Sequence, residues 1–360
     1  MRCRRKSRRM SGKVRMQTDP HQLAALLVLP RIRVQNANAI SSPLTWGFPS
    51  ITAFTGLMTA LARRLGPNGS LRFEGVGVVC HDFEAQVTHA GYTRSFCLTR
   101  NPVLHDGTTA AIVEEGRVHL DITLVFKVRV STDMLNDTAR ANCAALVADL
   151  LAGMRIAGGS VMPPLPDSTR KPPRAQLVLV ADDAELRDKQ FKRLSRQWLP
   201  GFALVSRDDL LHKRLTELRE APTAGTAAPT LLDAWLDLSR INHRASRKTV
   251  VNEATGESTE QVDWATDSRP GWLVPIPVGY AALGDLHAPG AVAGARDPTV
   301  PFRFVESVYS IGQWVSPHRL RDIDQLTWRA DYNATTGLYR CVNAYQPPAI
   351  EIHTPVPFID

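Results

Sequence analysis

The sequence has few cysteines, and they follow no metal-binding or disulfide pattern. No Cys-x-x-Cys pair occurs, and the total is odd: Cys3, Cys80, Cys97, Cys143 and Cys341. Such a scattered set is typical of unpaired thiols in a reducing compartment, so we expect a cytoplasmic protein. The sequence also lacks a P-loop, a G-x-S-x-G elbow and an HExxH helix. We therefore predict no catalytic residue, no metal site and no cofactor.

Long hydrophobic runs are also missing. None approaches the roughly 20 apolar residues that a membrane helix needs. The start imitates a secretory signal, because basic residues precede the apolar run 23–29. However, Asp19 interrupts the approach and Arg31 follows an apolar stretch of minimum length. We expect neither export nor a membrane partner.

Positive charge is concentrated at one end. The formal net charge is +8, but residues 1–19 hold eight basic residues against one acidic residue, which leaves +1 for the rest. We predict that residues 1–19 form a basic, disordered tail, which is either an arm that steers nucleic acid or a product of initiation upstream of Met10 or Met16. Any nucleic-acid contact in the nearly neutral body must come from local arrangement.

The order of predicted elements indicates an α+β fold. Alternating or apolar runs predict strands at 23–36, 71–80, 118–130 and 176–180. A helix capped by Ser50 and ended by Gly66 follows the first strand, and a helix capped near Thr132 or Asp133 follows the third. This βαββαβ order is that of a ferredoxin-like, RRM-like palm, which we assign to residues 20–182.

The palm is predicted to carry a protruding insertion, residues 81–116, because that stretch is too long for a hairpin turn. After the Pro-rich connector 163–173, helical spacing predicts helices at 208–220 and 230–242, whereas the polar stretch 243–270 is expected to be mobile. We describe residues 183–360 as a helical and irregular C-terminal portion. The strand 118–130 lacks the glycine and aromatic residues with which RNA-recognition domains stack bases, so RNA contacts must come from loops and the insertion.

One stretch resembles a known family. Residues 31–49, RIRVQNANAISSPLTWGFP, resemble the second Csy subunit of type I-F CRISPR surveillance complexes, a member of the RAMP superfamily. The likeness continues through 75–85, 98–102, 110–119, 154–160, 199–207, 270–280 and 303–319. It covers essentially the chain from Leu23 to Tyr345.

The resemblance implies a non-enzymatic subunit of the Cascade-type Csy complex in antiviral defence. Such a subunit pairs with the large subunit, binds the 5′ handle of the CRISPR RNA (crRNA) and abuts the first backbone subunit. Target DNA is bound within the assembled complex, where the guide RNA reads it by base pairing.

The residues themselves offer chemistry for RNA contact. Guanidinium groups bind phosphates and amides bind base edges. A strand-end cluster comprises Arg31, Arg33, Gln35, Asn36 and Asn38, and loop candidates are Arg100, Asn101, Arg155, Ser316, His318 and Arg319. Trp46 and Phe48 either stack on a base or pack internally. Because Arg31 and Arg33 alternate with Ile32 and Val34, we expect the arginines on one side and the aliphatic residues in the core.

Two other functions remain open. Some RAMP relatives are metal-independent endoribonucleases that process CRISPR precursor RNA, and His318 with Arg319 would be the candidate base and cation. The family assigns that cleavage to another subunit. A protein scaffold without RNA contact is disfavoured by the arginine and amide cluster at a strand end.

Overall fold

The computed structural model describes residues 22–67, 69–100, 103–164, 173–220, 228–251 and 258–348, so the predicted tail 1–19 lies outside the described residues. The strands are β1 Leu23–Asn38, β2 Ile40–Ser42, β3 Thr45–Trp46, β4 Leu71–Ala85, β5 Val87–Ala90, β6 Thr93–Phe96, β7 Leu98–Arg100, β8 Ile112–Glu114, β9 Arg117–Val130, β10 Arg155–Ile156, β11 Gly159–Met162, β12 Gln176–Leu179, β13 Phe202–Ser206, β14 His243–Val251, β15 Ser258–Thr266, β16 Trp272–Ala282, β17 Val305–Val315, β18 Trp328–Asn333 and β19 Leu338–Asn343. The α-helices are α1 Ile51–Leu65, α2 Asp137–Ala152, α3 Ala184–Gln197, α4 Asp208–Glu220, α5 Leu231–Ser239 and α6 Ile323–Leu326. Within the described residues, no helix is long and apolar enough to cross a membrane.

The architecture is α+β, with one large antiparallel sheet. Eleven strands form it in the order β10-β11-β1-β9-β4-β13-β17-β16-β19-β18, with β12 also paired to β1. The last strand returns to the middle of the sheet, because Trp328 of β18 pairs with Val76 of β4. A ring therefore closes through β4, β13, β17, β16, β19 and β18. The other strands of the sheet extend from this ring through β9: they are β1, β12, β11 and β10.

The predicted elements with the clearest sequence signals, α1 and β9, are confirmed. The Ser50 side chain accepts a hydrogen bond from the Thr52 N–H and caps α1, and Gly66 ends the helix with φ +80°. The strand predicted at 118–130 is β9, and its alternating residues are buried against α1 and α2. These elements were predictable because caps and strand alternation act over a few residues.

The start of α2 differs from the prediction. Thr132 and Asp133 begin a short 3₁₀ turn, and the N-cap of α2 is Asn136, whose Oδ1 accepts from the Thr138 and Ala139 N–H groups. Leu146, in the middle of α2, is exposed. Small and apolar residues around it supply the buried face instead: Cys143, Ala144, Val147 and Leu151.

The C-terminal portion contains more strand than predicted. Helices α4 and α5 are confirmed, but β13, β16, β17, β18 and β19 all join the large sheet. Pro275 and Pro277 in β16 argue against a strand, since proline cannot donate to the ladder. In the sheet, Pro275 is opposite Ile311 and Pro277 is opposite Tyr309, and the register shifts between Pro277 and Gly279. The stretch predicted to be mobile contains the β14–β15 hairpin.

The predicted insertion begins later than expected. Strand β4 continues to Ala85, which pairs with Val118, so residues 81–85 belong to the sheet. The remaining part carries two small hairpins, β5–β6 and β7–β8.

The two faces of the sheet are covered differently. Helices α1 and α2 pack on one face along most of β1 and β9. On the other face, α3 covers only one end, where Phe191 and Trp198 pack with Leu26, Val28 and Val125. Beyond that end, β1 and β9 carry polar and charged side chains on this second face.

Candidate nucleic-acid interface

Strand β1 changes direction at Pro30 and Arg31, where the cover from α3 ends. Proline has no N–H to give to the ladder, and the β1–β9 register shifts between Leu29 and Ile32. Arg31 has φ +52°, and its N–H turns to Thr123 Oγ1 at 3.2 Å. This bulge sets the position of the first predicted RNA-binding residue.

Two arginines flank one carboxylate at this point. Arg31 Nη1 lies 3.0 Å from Asp121 Oδ2, and Arg33 is directly opposite Asp121 in the β1–β9 register. Arg33 Nη1 also donates to the Pro163 carbonyl oxygen at 3.4 Å. The two arginines therefore lie on the same side of the sheet.

The aliphatic neighbours face the other way. Ile32 and Val34 are 9% and 2% exposed and belong to the core beneath α1 and α2. The predicted alternation of charged and core residues along this strand is confirmed.

A second bulge follows at Gln35 and Asn36. The β1–β9 register shifts again between Val34 and Ala37, and Asn36 has φ +58°. The Asn36 N–H donates to His119 Nδ1 at 3.1 Å, so Nδ1 of this imidazole is an acceptor. Gln35 and Asn36 are both exposed.

The amide of Asn38 is engaged within its own turn. Its Nδ2 donates to the Ile40 carbonyl oxygen at 2.8 Å, and its Oδ1 accepts from the Ile40 N–H at 3.1 Å. Both polar atoms of this amide are therefore hydrogen-bonded within the turn.

The structure brings Arg155 to the strand-end cluster. Gln35 of β1 pairs with Ser160 of β11, and Ser160 pairs with Arg155 of β10. Paired residues of adjacent strands lie on one face of a sheet. Arg155 Nη1 donates to the Gly158 carbonyl oxygen of its own turn at 3.2 Å. Four predicted residues, Arg31, Arg33, Gln35 and Arg155, thus gather on the edge formed by β1, β11 and β10.

Behind this cluster lies His81, which sequence reasoning did not select. Its Nδ1 is 2.6 Å from the Pro200 carbonyl oxygen, which can only accept, so Nδ1 carries the proton. Its Nε2 is 2.8 Å from Thr123 Oγ1 and accepts from that hydroxyl. Burial lowers the pKa of His81, which agrees with a neutral ring. Because Thr123 also binds Arg31, the chain of hydrogen bonds joins the bulge to the loop before β13.

The thiol of Cys80, next to His81 in the chain, has low reactivity. Burial raises the pKa of Cys80 to about 12, and the charges of Asp82 and Asp121 act in the same direction. A thiol protonated at neutral pH is a poor nucleophile.

The two aromatic candidates lie apart from the arginines. Phe48 stacks on Phe54 with ring centroids 5.6 Å apart and meets Trp314 edge-on at 4.9 Å, so it packs beside the core under α1. Trp46 is 43% exposed, and its ring lies 5.9 Å from that of Phe96. Of the two, Trp46 has the accessible ring face that base stacking needs.

The remaining candidates are distributed along the molecule. Arg100 ends β7, opposite Ile112, and Asn101 lies outside the described residues. Ser316, His318 and Arg319 belong to the turn that follows β17, where Ser316 Oγ is 2.9 Å from His318 Nδ1 and both basic residues are exposed. In sheet order this turn is separated from β1 by β9, β4 and β13.

Comparison with known proteins assigns the class. The family model described as CRISPR-associated protein (Cas_Csy2) matches residues 27–341. The chain is also 48% identical, over 327 residues, to the CRISPR-associated protein Csy2 of Pseudomonas aeruginosa (strain UCBPP-PA14), and the match covers 90% of this chain and 95% of that protein. The chain therefore belongs to the Csy2 family, which confirms the resemblance to the second Csy subunit of type I-F systems. It is a subunit of a type I-F Csy complex.

Proposed function

We propose that the chain binds the 5′ handle of the crRNA as a non-catalytic subunit of its Csy complex. The observation that carries this proposal is the gathering of Arg31, Arg33, Gln35 and Arg155 on one edge of the sheet. In the same proposal the chain pairs with the large subunit, abuts the first backbone subunit and meets target DNA in the assembled complex. Its palm is ferredoxin-like, which the antiparallel order β12-β1-β9-β4 supports.

The gathered side chains suit a single strand of RNA. Arginine forks bind phosphate oxygens, and amides bind the base edges that an unpaired strand exposes. A guanidinium group has five N–H donors. The bond from Arg31 to Asp121 uses Nη1 and holds the group in place while leaving other donors for a phosphate. The Pro30 bulge and Thr123 fix the backbone from which this side chain extends.

The histidines at the cluster support a non-catalytic role. A metal-independent ribonuclease needs a general base and a cation near the scissile phosphate. At the arginine edge, His81 is bonded through both ring nitrogens, and His119 Nδ1 accepts from a backbone N–H. His318 and Arg319, the candidate pair for cleavage, belong to the separate turn after β17. We therefore expect purified protein to leave labelled repeat RNA intact.

The test is the Arg31→Ala/Arg33→Ala variant, titrated with handle RNA at two salt concentrations. Two lost phosphate contacts should weaken binding at least tenfold and reduce the salt slope by about 1.4, since single strands contribute about 0.7 per contact. The matched control is Arg63→Ala/Arg64→Ala, which removes two exposed arginines from the last turn of α1. Unchanged affinity and slope in the first variant, with an unchanged melting temperature, would contradict the proposal.

A further inference from the structure

A basic surface that the proposed handle site does not use begins on helix α3. This helix buries Phe191, Leu194 and Ser195 on its inner side and turns Arg193 and Arg196 to solvent. Residues three positions apart on a helix are neighbours, with Cβ atoms about 5–6 Å apart. The two arginines therefore extend from one stretch of the outer side of α3.

A second pair of arginines lies beside this helix. The turn Pro317–Arg319, which follows β17, packs against α3. Leu320 is buried in the same hydrophobic cluster as Leu194 of α3, and it is flanked by Arg319 and Arg321, which are both exposed. Four exposed guanidinium groups thus lie on two elements in contact, and we call them the arginine patch: Arg193, Arg196, Arg319 and Arg321.

The cations of the arginine patch are not neutralised by the protein. Within the part of the chain that the structure describes, none of the four guanidinium groups has an ion pair or a side-chain hydrogen bond. The lysines of α3, in contrast, are paired one turn apart, with Nζ to carboxylate oxygen distances of 2.6 Å in Lys189–Glu185 and 2.7 Å in Lys192–Asp188. The carboxylate of Asp322, next to Arg321, accepts from the Gln325 N–H at 3.0 Å and caps α6. One such carboxylate beside four unpaired arginines leaves an excess of positive charge.

The chemistry of the arginine patch fits the backbone of a nucleic-acid duplex. Affinity for nucleic acid comes from cations that displace counterions from phosphates, and unpaired arginines supply such cations. Binding of a single strand relies on aromatic side chains that stack on unpaired bases. Helix α3 presents no aromatic residue to solvent. Its convex outer side is therefore suited to phosphates rather than to bases.

We propose that the arginine patch binds the phosphate backbone of duplex target DNA. This rests on the proposed function, in which the chain meets target DNA in the assembled complex, and it names the surface that does so. Handle RNA has its own site on β1, which in sheet order is separated from the turn after β17 by β9, β4 and β13. Because the guide RNA reads the target by base pairing, protein contacts to the duplex need only recognise its shape and charge.

The first experiment measures binding of a duplex DNA unrelated to the guide, at two salt concentrations, to complexes assembled with guide RNA. Arg193→Ala/Arg196→Ala should weaken binding at least tenfold and reduce the salt slope by about 1.8, since each contact to B-DNA contributes about 0.9. Arg193→Lys/Arg196→Lys keeps both charges and should stay within about threefold of the unaltered complex. The matched control, Arg63→Ala/Arg64→Ala, removes two exposed arginines from α1 on the other face of the sheet. Equal affinity of the control and of Arg193→Ala/Arg196→Ala overturns the proposal.

The second experiment tests the other half of the patch and the class of partner. Arg319→Ala/Arg321→Ala should weaken duplex binding as strongly as the substitutions in α3. Single-stranded DNA complementary to the guide should bind all these complexes equally, because it needs no duplex contact. A loss of single-stranded target as large as the loss of duplex overturns the proposal. So does a variant that keeps its melting temperature but no longer assembles with the large subunit, because the patch would then contact protein.

Handle binding separates this proposal from the handle site. Arg193→Ala/Arg196→Ala should bind handle RNA with unchanged affinity, and a tenfold loss there would overturn the assignment to DNA. If Arg31→Ala/Arg33→Ala binds handle RNA normally while Arg193→Ala/Arg196→Ala loses duplex DNA, the handle site fails and the arginine patch stands. If handle binding behaves as expected while Arg193→Ala/Arg196→Ala keeps full affinity for duplex DNA, only the arginine patch fails.

Discussion

Arg31 and Asp121 form an ion pair across the β1–β9 strand pair, with Nη1 and Oδ2 3.0 Å apart. The two residues are 90 positions apart in the chain and meet because the bulge at Pro30 shifts the register of β1. Since Arg33 is also opposite Asp121, one carboxylate lies among the arginines that we propose to bind RNA. This arrangement orients Arg31 but lowers the net positive charge of the site.

Removing that carboxylate charge should therefore strengthen RNA binding. For Asp121→Asn we expect about fivefold higher affinity for handle RNA and a steeper salt dependence, because about 1 kcal/mol of phosphate repulsion is lost. The free energy of unfolding should fall by at most about 1 kcal/mol, the usual value of a partly exposed ion pair. Titration of handle RNA at two salt concentrations measures the effect. Asp188→Asn on α3 is the control, and a weakened affinity in Asp121→Asn would show that orientation matters more than charge.

The hydroxyl of Thr123 should contribute to stability. It is buried and joins the Arg31 N–H to His81 Nε2. Thr123→Val keeps the shape but leaves both groups unpaired, which should cost about 1–3 kcal/mol in the free energy of unfolding. Urea denaturation measures this. Thr88→Val, at an exposed hydroxyl, should change stability by less than about 0.5 kcal/mol. Equal effects of the two substitutions would mean that the network through Thr123 adds nothing.

Stability should depend on the protonation of His81. Burial lowers its pKa in the folded protein below the ordinary value of 6.5. As the pH falls, the unfolded chain therefore takes up a proton before the folded protein does. The contribution of His81 to the free energy of unfolding is complete above pH 6.5 and is lost as the pH falls toward the folded pKa. His81→Gln should flatten the decline in the free energy of unfolding between pH 7.5 and 5.5. His89→Gln, at an exposed position, should leave the decline unchanged. A decline of equal slope in the unaltered protein and in His81→Gln would refute this role.

Trp328 should hold the closed ring of strands together. It is 1% exposed, pairs with Val76 of β4 and donates through Nε1 to the Leu204 carbonyl oxygen at 2.8 Å. Trp328→Ala should lower the free energy of unfolding by about 3–5 kcal/mol through the cavity and the lost bond. Tyr332→Ala, at an exposed position on the same strand, is the control and should cost far less. Calorimetry of both variants checks the difference.

Short-range signals in the sequence predicted a large part of this protein. Ser50 and Gly66 marked the ends of α1, and alternation along β9 and around Ile32 and Val34 identified the core face of two central strands. Caps and strand periodicity act between residues a few positions apart, so they can be recognised without the fold. The long ordered motifs likewise identified the family.

Tertiary structure decided the pairings that make the site. The register shift at Pro30 and the partners of Arg31 and His81 depend on strands far apart in the sequence. The sheet also made a strand of β16 despite Pro275 and Pro277, because neighbouring strands supply the pairing that local propensity lacks. Which arginine meets a carboxylate, and which histidine has both ring nitrogens hydrogen-bonded, follow from cross-strand register, and register is a property of the assembled sheet rather than of any one segment.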